Sequence, residues 1–168
     1  MSALAIRNDP VLNHNFVISL LDSTSALSPS TPPALTGILD GAAGGFSECA
    51  GLEVTIQPEE YREGGNNAGA LKFVGRASWS NLTLKRGIAG NTDLWDWHFS
   101  FIEGRGKRRD GVIVLLDASR EPRQAWYFRR GLPVKYSGPS LNATQNSVAI
   151  EAIEIAHEGL QQIAGAGA

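Results

Sequence analysis

The sequence predicts one β-rich domain carrying a single helix, and three observations predict it. Short β-branched and aromatic runs alternate with stretches rich in Gly, Pro, Asn and Ser, the pattern of strands punctuated by turns. One window alone has helical spacing of its apolar residues. No internal repeat or linker divides the 168 residues, a length usual for one domain.

Phe16 to Leu21 (FVISLL) reads as the first strand. Asp22 to Gly45 follows, rich in Ser, Thr, Pro, Gly and Ala, and reads as a long surface loop in which Leu35, Ile38 and Leu39 could dock locally. Phe46 to Ile56 suggests a second strand, with a bulge or bend at Gly51. Glu59 to Ala70 (EEYREGGNNAGA) reads as a loop able to adopt positive φ. Leu71 to Val74 is a short strand. Ser78 to Arg86 (SWSNLTLKR) then alternates, with Trp79, Asn81 and Thr83 on one face and Leu82 and Leu84 on the other. Sizeable groups on both faces suit a strand between a core and a neighbour.

The helix is expected over Thr92 to Ile102. Asn91 or Thr92 caps it, and Asp93 complements the dipole at its start. Leu94, Trp95, His98, Phe101 and Ile102 form one apolar stripe, and Gly104 ends the helix. Gly111 to Asp117 (GVIVLLD) is an unbroken apolar run, fit for a strand covered on both faces. Gln124 to Arg130 is a further strand, closed by a Gly131-Leu132-Pro133 turn before a brief pairing at Val134 to Ser137. Ser147 to His157 carries two out-of-phase alternations, Val148/Ile150 and Ile153/Ile155. A strand with a bulge near Ala152 accounts for both, and a helix using Ala149, Ala152, Ile153 and Ala156 is the alternative. Gln161 to Ala168 is expected to be a disordered tail.

Composition narrows the function. A chain of this size buries roughly 70% of its unfolded surface, so it folds without staples. Charged residues make up 19%, below the ~25% of an average globular protein, which fits a surface covered by partners. A net charge of -2 argues against a dedicated nucleic-acid binder. Cys49 is the only cysteine, so no intrachain disulfide forms. Met1 to Phe16 lacks the pattern of a signal peptide, and no apolar run nears the ~20 residues of a membrane span. Synthesis in the cytoplasm as a soluble protein, without a membrane anchor, is the expectation.

Chemistry is largely missing. His14, His98 and His157 lie far apart in sequence, and with Cys49 they complete no metal-ligand spacing. Glu59, Glu60 and Glu63 resemble an acid pair for glycoside chemistry, but beside Arg62 on a glycine-rich segment they read better as solvated or interfacial charges. Ser47 and Ser100 sit in no nucleophile elbow. Gly104-Arg105-Gly106-Lys107-Arg108-Arg109 fails as a phosphate loop because the helix precedes it and Arg108 follows the lysine. Nucleic acid passing nearby could touch this cluster. Pairing with acids on a neighbouring molecule, Glu59, Glu60 and Glu63 among them, fits it better. No catalytic residue, cofactor or metal is expected, and the chain reads as no enzyme. Two other readings stay open. One is a monomeric β-sandwich carbohydrate-binding module using Trp79, Trp95, Trp97 or Trp126 as stacking platforms. The other is a small hydrolase using Glu59 or Glu63.

Five stretches, in one order, resemble the tail-tube proteins of contractile phage tails and extracellular contractile injection systems. They are Phe46-Ser47-Glu48-Cys49-Ala50-Gly51-Leu52-Glu53, Glu60-Tyr61-Arg62-Glu63-Gly64-Gly65-Asn66, Asn81-Leu82-Thr83-Leu84-Lys85-Arg86-Gly87, the helix with Leu94, Trp95 and Trp97, and Glu154-Ile155-Ala156-His157-Glu158-Gly159-Leu160. The resemblance spans Phe16 to Leu160 and extends to the tube protein of type VI secretion. It implies two packed sheets forming a β-sandwich or barrel-like domain with one flanking helix. It further implies a homo-hexameric ring that stacks into a hollow tube inside a sheath, joined to baseplate and spike components, with a cargo effector or DNA in the lumen. Inter-subunit contacts would fall on Glu59, Glu60, Tyr61, Arg62, Glu63, Gly64, Gly65, Leu82, Leu84, Lys85 and Arg86. Asp93, Asp96 and Trp97 would turn toward the sheath. The particle would assemble in the cytoplasm and end in a phage tail or an injection particle. The Ser23 to Gly45 insertion is longer than the family's loop, which leaves open the main tube subunit and a copy that starts the tube at the baseplate.

Overall fold

The computed structural model describes residues 11–23, 45–64, 69–88 and 90–164. Among these described residues nine strands and one helix follow in the order β1 (Phe16–Asp22), β2 (Glu48–Ala50), β3 (Val54–Tyr61), β4 (Leu71–Trp79), β5 (Leu82–Gly87), α1 (Asp93–Ile102), β6 (Arg109–Leu116), β7 (Pro122–Ser137), β8 (Ile150–Ala156) and β9 (Leu160–Ala164). The protein is mainly β, with two layers and one helix against them.

One hydrogen-bonded path, β1-β6-β7-β8-β5-β2, builds both layers, and β9 adds to β7. The sixteen residues of β7 serve each layer in turn. Its first part pairs with β6 and with β9. From Leu132 onward it pairs with β8. The strand turns between the layers at Arg130, which has φ 51. Asp110 on β6 stabilises this bend: its carboxylate accepts the Arg130 N–H at 2.7 Å and the Tyr127 hydroxyl at 3.1 Å. The predicted Gly131-Leu132-Pro133 turn is therefore the interior of one strand. A register shift between Pro133 and Lys135 accommodates the proline there.

The core lies between the layers. Ile18, Ile113 and Phe128 come from one, and Leu82, Leu84, Ile153 and Ile155 from the other. Leu94 and Trp97 of α1 join them. A second cluster, Val112, Val114, Leu116, Ala125 and Tyr127, holds the other side of β6 and β7. β6 is thus buried on both faces, as its unbroken apolar run predicted. The alternation seen in β5 also holds, with Leu82 and Leu84 fully buried.

Five further expectations are corrected. The strand expected over Phe46 to Ile56 is two strands, because Gly51 takes φ 92 where a Cβ would stand 2.0 Å from the Asn81 carbonyl oxygen. The segment from Glu59 to Ala70 is not all loop, since β3 continues to Tyr61, and β4 runs on to Trp79 rather than ending at Val74. β8 shows no bulge at Ala152: its register with β5 is unbroken, and Glu151 shares the core face with Ile153 and Ile155. The expected C-terminal tail begins instead with β9, paired from Leu160 to Ala164. The Asp22 to Gly45 loop falls almost wholly outside the described residues, as does the end of the chain after Ala164.

The buried Glu151 is balanced. Arg86 Nε lies 2.6 Å from its Oε1, and the Tyr136 hydroxyl donates to Oε2 at 2.7 Å. Arg86 also donates to Asn91 Oδ1 at 2.7 Å, which ties the approach to α1 into the sheet. The helix ends in a Schellman motif: Gly104 (φ 75) N–H bonds to Phe101 O, and Arg105 N–H to Ser100 O.

Candidate assembly surface

The β3–β4 hairpin stands apart from the sandwich. Its two strands pair only with each other among the described residues. Every residue of β3 is exposed, and so is every residue of β4 except Gly75. Yet its composition is that of an interior strand pair: Val54, Ile56, Tyr61, Leu71, Phe73, Val74 and Trp79 are 37 to 84% exposed. A two-stranded ribbon alone is marginally stable in water. Apolar residues on both sides, with both outer edges unpaired, call for a covering partner.

The pairing register assigns the faces. Val54 opposes Trp79, Ile56 opposes Ala77 and Pro58 opposes Val74, so these share one face. Thr55 and Ser78 lie on the other. Between Ile56 and Pro58 the register shifts, setting Gly75 and Arg76 against Gln57 alone. Only glycine fits there, since a Cβ on Gly75 would lie 2.0 Å from the Gln57 carbonyl oxygen. Beyond the bulge, Glu59 opposes Phe73 and Tyr61 opposes Leu71. Tyr61 and Phe73 meet edge-to-face with centroids 6.4 Å apart.

The predicted contact residues separate into two groups. Glu59, Glu60 and Tyr61 lie on the outer half of β3, and Arg62, Glu63 and Gly64 follow it, all exposed. Gly65 lies outside the described residues. Leu82 and Leu84, by contrast, are 0% exposed, and β5 is flanked by β2 and β8, which leaves neither leucine a surface to offer. Lys85 pairs with Glu48 at 2.9 Å within the chain, and Arg86 is consumed by Glu151.

On α1, Asp93 and Asp96 are exposed, but Trp97 is buried and cannot face a sheath. Its indole N–H donates to Lys107 O at 2.9 Å, and the Arg109 guanidinium lies 5.0 Å above its ring. The stripe is rotated from the expected one. Leu94, Trp97 and the half-buried Phe101 turn inward, while Trp95 and Ile102 turn out. Trp95 stacks on Phe99 and meets Tyr136 edge-on. The basic segment after the helix finds acids of its own chain: Arg105 with Glu103, Arg108 with Glu158 at 3.1 Å, and Arg109 with Asp22 at 3.4 Å.

The surface offers little for a small ligand. The four indoles sit in separate settings: Trp79 beside His157, Trp95 on Phe99, Trp97 in the core, and Trp126 half-buried in a depression with Phe16, Leu52 and Ile113. A cleft of about 450 Å³ between β1 and the start of α1 is lined by Asp22, Arg86, Asp93 and Arg109, a balanced set in which Arg86 and Arg109 already have partners. Among the described residues no three His, Cys, Asp or Glu side chains gather as metal ligands, and no helix is long and apolar enough to cross a membrane. Burial pushes the Cys49 thiol up to about 11, far from a nucleophile's range.

Comparison with known proteins then decides the family. The model of the T4-like virus tail tube protein gp19 matches residues 12–161. The chain belongs to this tail tube family. A chain in the structure of the extracellular contractile injection system PVC, at its sheath/tube terminator in the extended state, is 25% identical, covers 95% of this chain and 100% of its own, and gives a TM-score of 0.76. A chain of the anti-feeding prophage baseplate is 22% identical over 94% of this chain and 98% of its own, with a TM-score of 0.77. An Hcp protein shares the fold at 11% identity, covering 90% and 93% of the two chains with a TM-score of 0.54. No curated protein matches the tail tube chain by sequence.

Proposed function

We propose that this tail tube protein is a structural subunit of the inner tube of a contractile tail or injection system. Six copies close into a ring, and rings stack into a hollow tube that a sheath drives through a target envelope, delivering a cargo protein or DNA. The carrying observation is the β3–β4 hairpin, a ribbon apolar on both sides and, among the described residues, paired with nothing outside itself. Pairing of its edges and faces with sister chains removes this exposure, and a head-to-tail contact repeated by rotation closes a ring. Family membership and the likeness to a chain from a sheath/tube terminator support the same reading. Asp93 and Asp96 on the outer turn of α1 are the charges offered to the sheath, and Glu59, Glu60, Arg62 and Glu63 those offered to neighbouring subunits. Baseplate and spike components start the tube, and this chain serves as the main repeating subunit or as the copy that begins it. Assembly takes place in the cytoplasm, without turnover of any substrate.

Electron microscopy of the purified protein, alone and with its baseplate components, tests this. Rings or cylinders are the expected result. A monomer at high concentration that forms neither would overturn the proposal.

A further inference from the structure

The hairpin joins the body through two short connections, Gly51 to Glu53 and Ser80 to Asn81. The Ser80 N–H donates to Glu53 O at 3.3 Å and holds the two connections together. From the body, the Glu154 carboxylate accepts the Asn81 amide at 2.8 Å. His157, in the turn between β8 and β9, goes further. Its Nε2 lies 3.1 Å from the Ser80 carbonyl oxygen. Its ring stands between Trp79, the last residue of β4, and Phe128 of the core, with centroids 6.2 and 6.0 Å away. One imidazole thus fastens the base of the hairpin to the sandwich.

We infer that His157 is a pH-sensitive latch: neutral, it holds the hairpin in one orientation, and protonated, it lets the hairpin swing about Gly51 and Ser80. Gly51, with φ 92, supplies the glycine hinge on one connection.

The chemistry is that of a ring with one bare nitrogen. Nε2 carries the N–H that meets Ser80 O, so Nδ1 is unprotonated in the neutral ring, buried and without a hydrogen-bond partner. A second proton puts a donor and a full charge there, which desolvation penalises. Little compensates. The Gly159 backbone favours the proton, but its carbonyl already accepts the Arg129 N–H at 3.1 Å. The Arg129 guanidinium lies against Gly159, its Nη2 3.3 Å from where a Cβ would stand, and brings a like charge to this side. The nearby carboxylates are engaged: Glu158 by Arg108 and Arg130, Glu154 by Asn81, and Glu53 by the Ser80 hydroxyl. Burial accordingly lowers the His157 pKa. Turning the charged ring out to water relieves the penalty, and that turn breaks the bond to Ser80 and the contact with Trp79. The closed base is favoured above the free histidine's pKa of ~6.5. Below it, opening rises about tenfold per pH unit until the closed ring itself protonates.

The hairpin carries exposed apolar surface, so its orientation decides what that surface can meet. On the assembly reading above, on which this consequence rests, rings and tubes hold at neutral pH and loosen near pH 5.

Spin labels on K72C in the hairpin and S119C in the turn between β6 and β7 read the orientation directly. Both positions are exposed, and C49A protein mixed with an excess of unlabelled chain keeps the distances within one copy. A narrow distance distribution is expected at pH 7.5 and a broad one at pH 5.0, with far-ultraviolet circular dichroism unchanged. H157Q keeps a donor for Ser80 O and cannot charge, so its distribution should stay narrow at both. The midpoint should coincide with the His157 ring titration followed by NMR, a measurement that needs no substitution at His157. An unchanged distribution, a midpoint apart from that titration, broadening in H157Q, or a sandwich that unfolds over the same range would each overturn the latch. Sedimentation tests the consequence: wild-type assemblies should fall at least about tenfold at pH 5.0, and H157Q assemblies should persist. Wild-type assemblies that persist while the labels broaden overturn the link to assembly and leave the latch standing. A wild type that assembles at neither pH overturns the assembly reading alone, and the labels still decide the latch.

Discussion

The sandwich and the hairpin are made from similar residues and meet opposite fates. β5 and β8 bury their apolar side chains completely, down to Leu82, Leu84, Ile153 and Ile155 at 0% exposure. β3 and β4 leave theirs in the open. The body resolves even its buried charges internally, through Arg86, Glu151 and Tyr136. The hairpin resolves neither its edges nor its faces. Stability within this chain therefore resides in the body, and the exposed apolar surface resides in the hairpin.

The sharpest way to break that contrast is in the core. F128A removes a fully buried ring packed against Gly111 and Gly131 and should cost about 3–5 kcal/mol in denaturant unfolding. E151L should cost a similar ~3–5 kcal/mol by stranding Arg86, and adding R86M should recover much of it, since two matched apolar groups leave no buried charge.

A smaller effect is expected from pH. His157 Nε2 lies 3.1 Å from the Ser80 carbonyl oxygen, which only an N–H can satisfy, so the buried Nδ1 is the bare nitrogen. Burial between Trp79 and Phe128 lowers the His157 pKa from 6.5, outweighing its bonds to the Ser80 and Gly159 backbone. The unfolded chain then binds the proton more readily than the folded one. The stabilisation is complete above about pH 6.5 and is lost as pH falls below it, with a slope of at most about 1.4 kcal/mol per pH unit, the limit for a single proton. Thermal unfolding between pH 7 and pH 5 should show it, and H157N should flatten the curve.

The least change in body stability is expected from G75A. Its Cβ meets the Gln57 carbonyl and must open the bulge, yet unfolding of the sandwich should move by no more than about 0.5 kcal/mol. Its effect should appear in assembly alone, read as the size distribution in sedimentation. A large loss of stability would show that the hairpin is part of the body after all.

The body was more legible in the sequence than the hairpin, for physical reasons. β1, β6 and α1 announce themselves through unbroken apolar runs and a helical period, although the expected cap is not made: the Thr92 hydroxyl donates to the Asp96 carboxylate and no side chain caps the backbone. β8 was misread because Glu151 occupies a core position, and a carboxylate on that face looks like a change of phase until Arg86 is found opposite. Trp97 was misplaced because Trp95 is equally apolar; the Leu94, Trp97, Phe101 spacing of three and four residues carried the true inward face. β7 was cut at Gly131-Leu132-Pro133 because nothing local reveals that Asp110 holds the bend. In the hairpin only the end of β3 reads as loop, since Glu59, Glu60 and Tyr61 run into a glycine- and asparagine-rich stretch, while the register that joins the expected strand pieces into a ribbon depends on residues across the strand pair. Of the expected contact residues, the exposed ones lie on or just past it, and Leu82 and Leu84 were drawn into the list by an alternation that serves the core.

The strand that crosses from one layer to the other has a mechanical consequence. Because β7 is laced to β6 and β9 at one end and to β8 at the other, the layers cannot slide past one another without tearing a hydrogen-bonded ladder on at least one side. A force arriving at either layer is carried across Arg130 by peptide bonds, so the domain transmits a push as one stiff body.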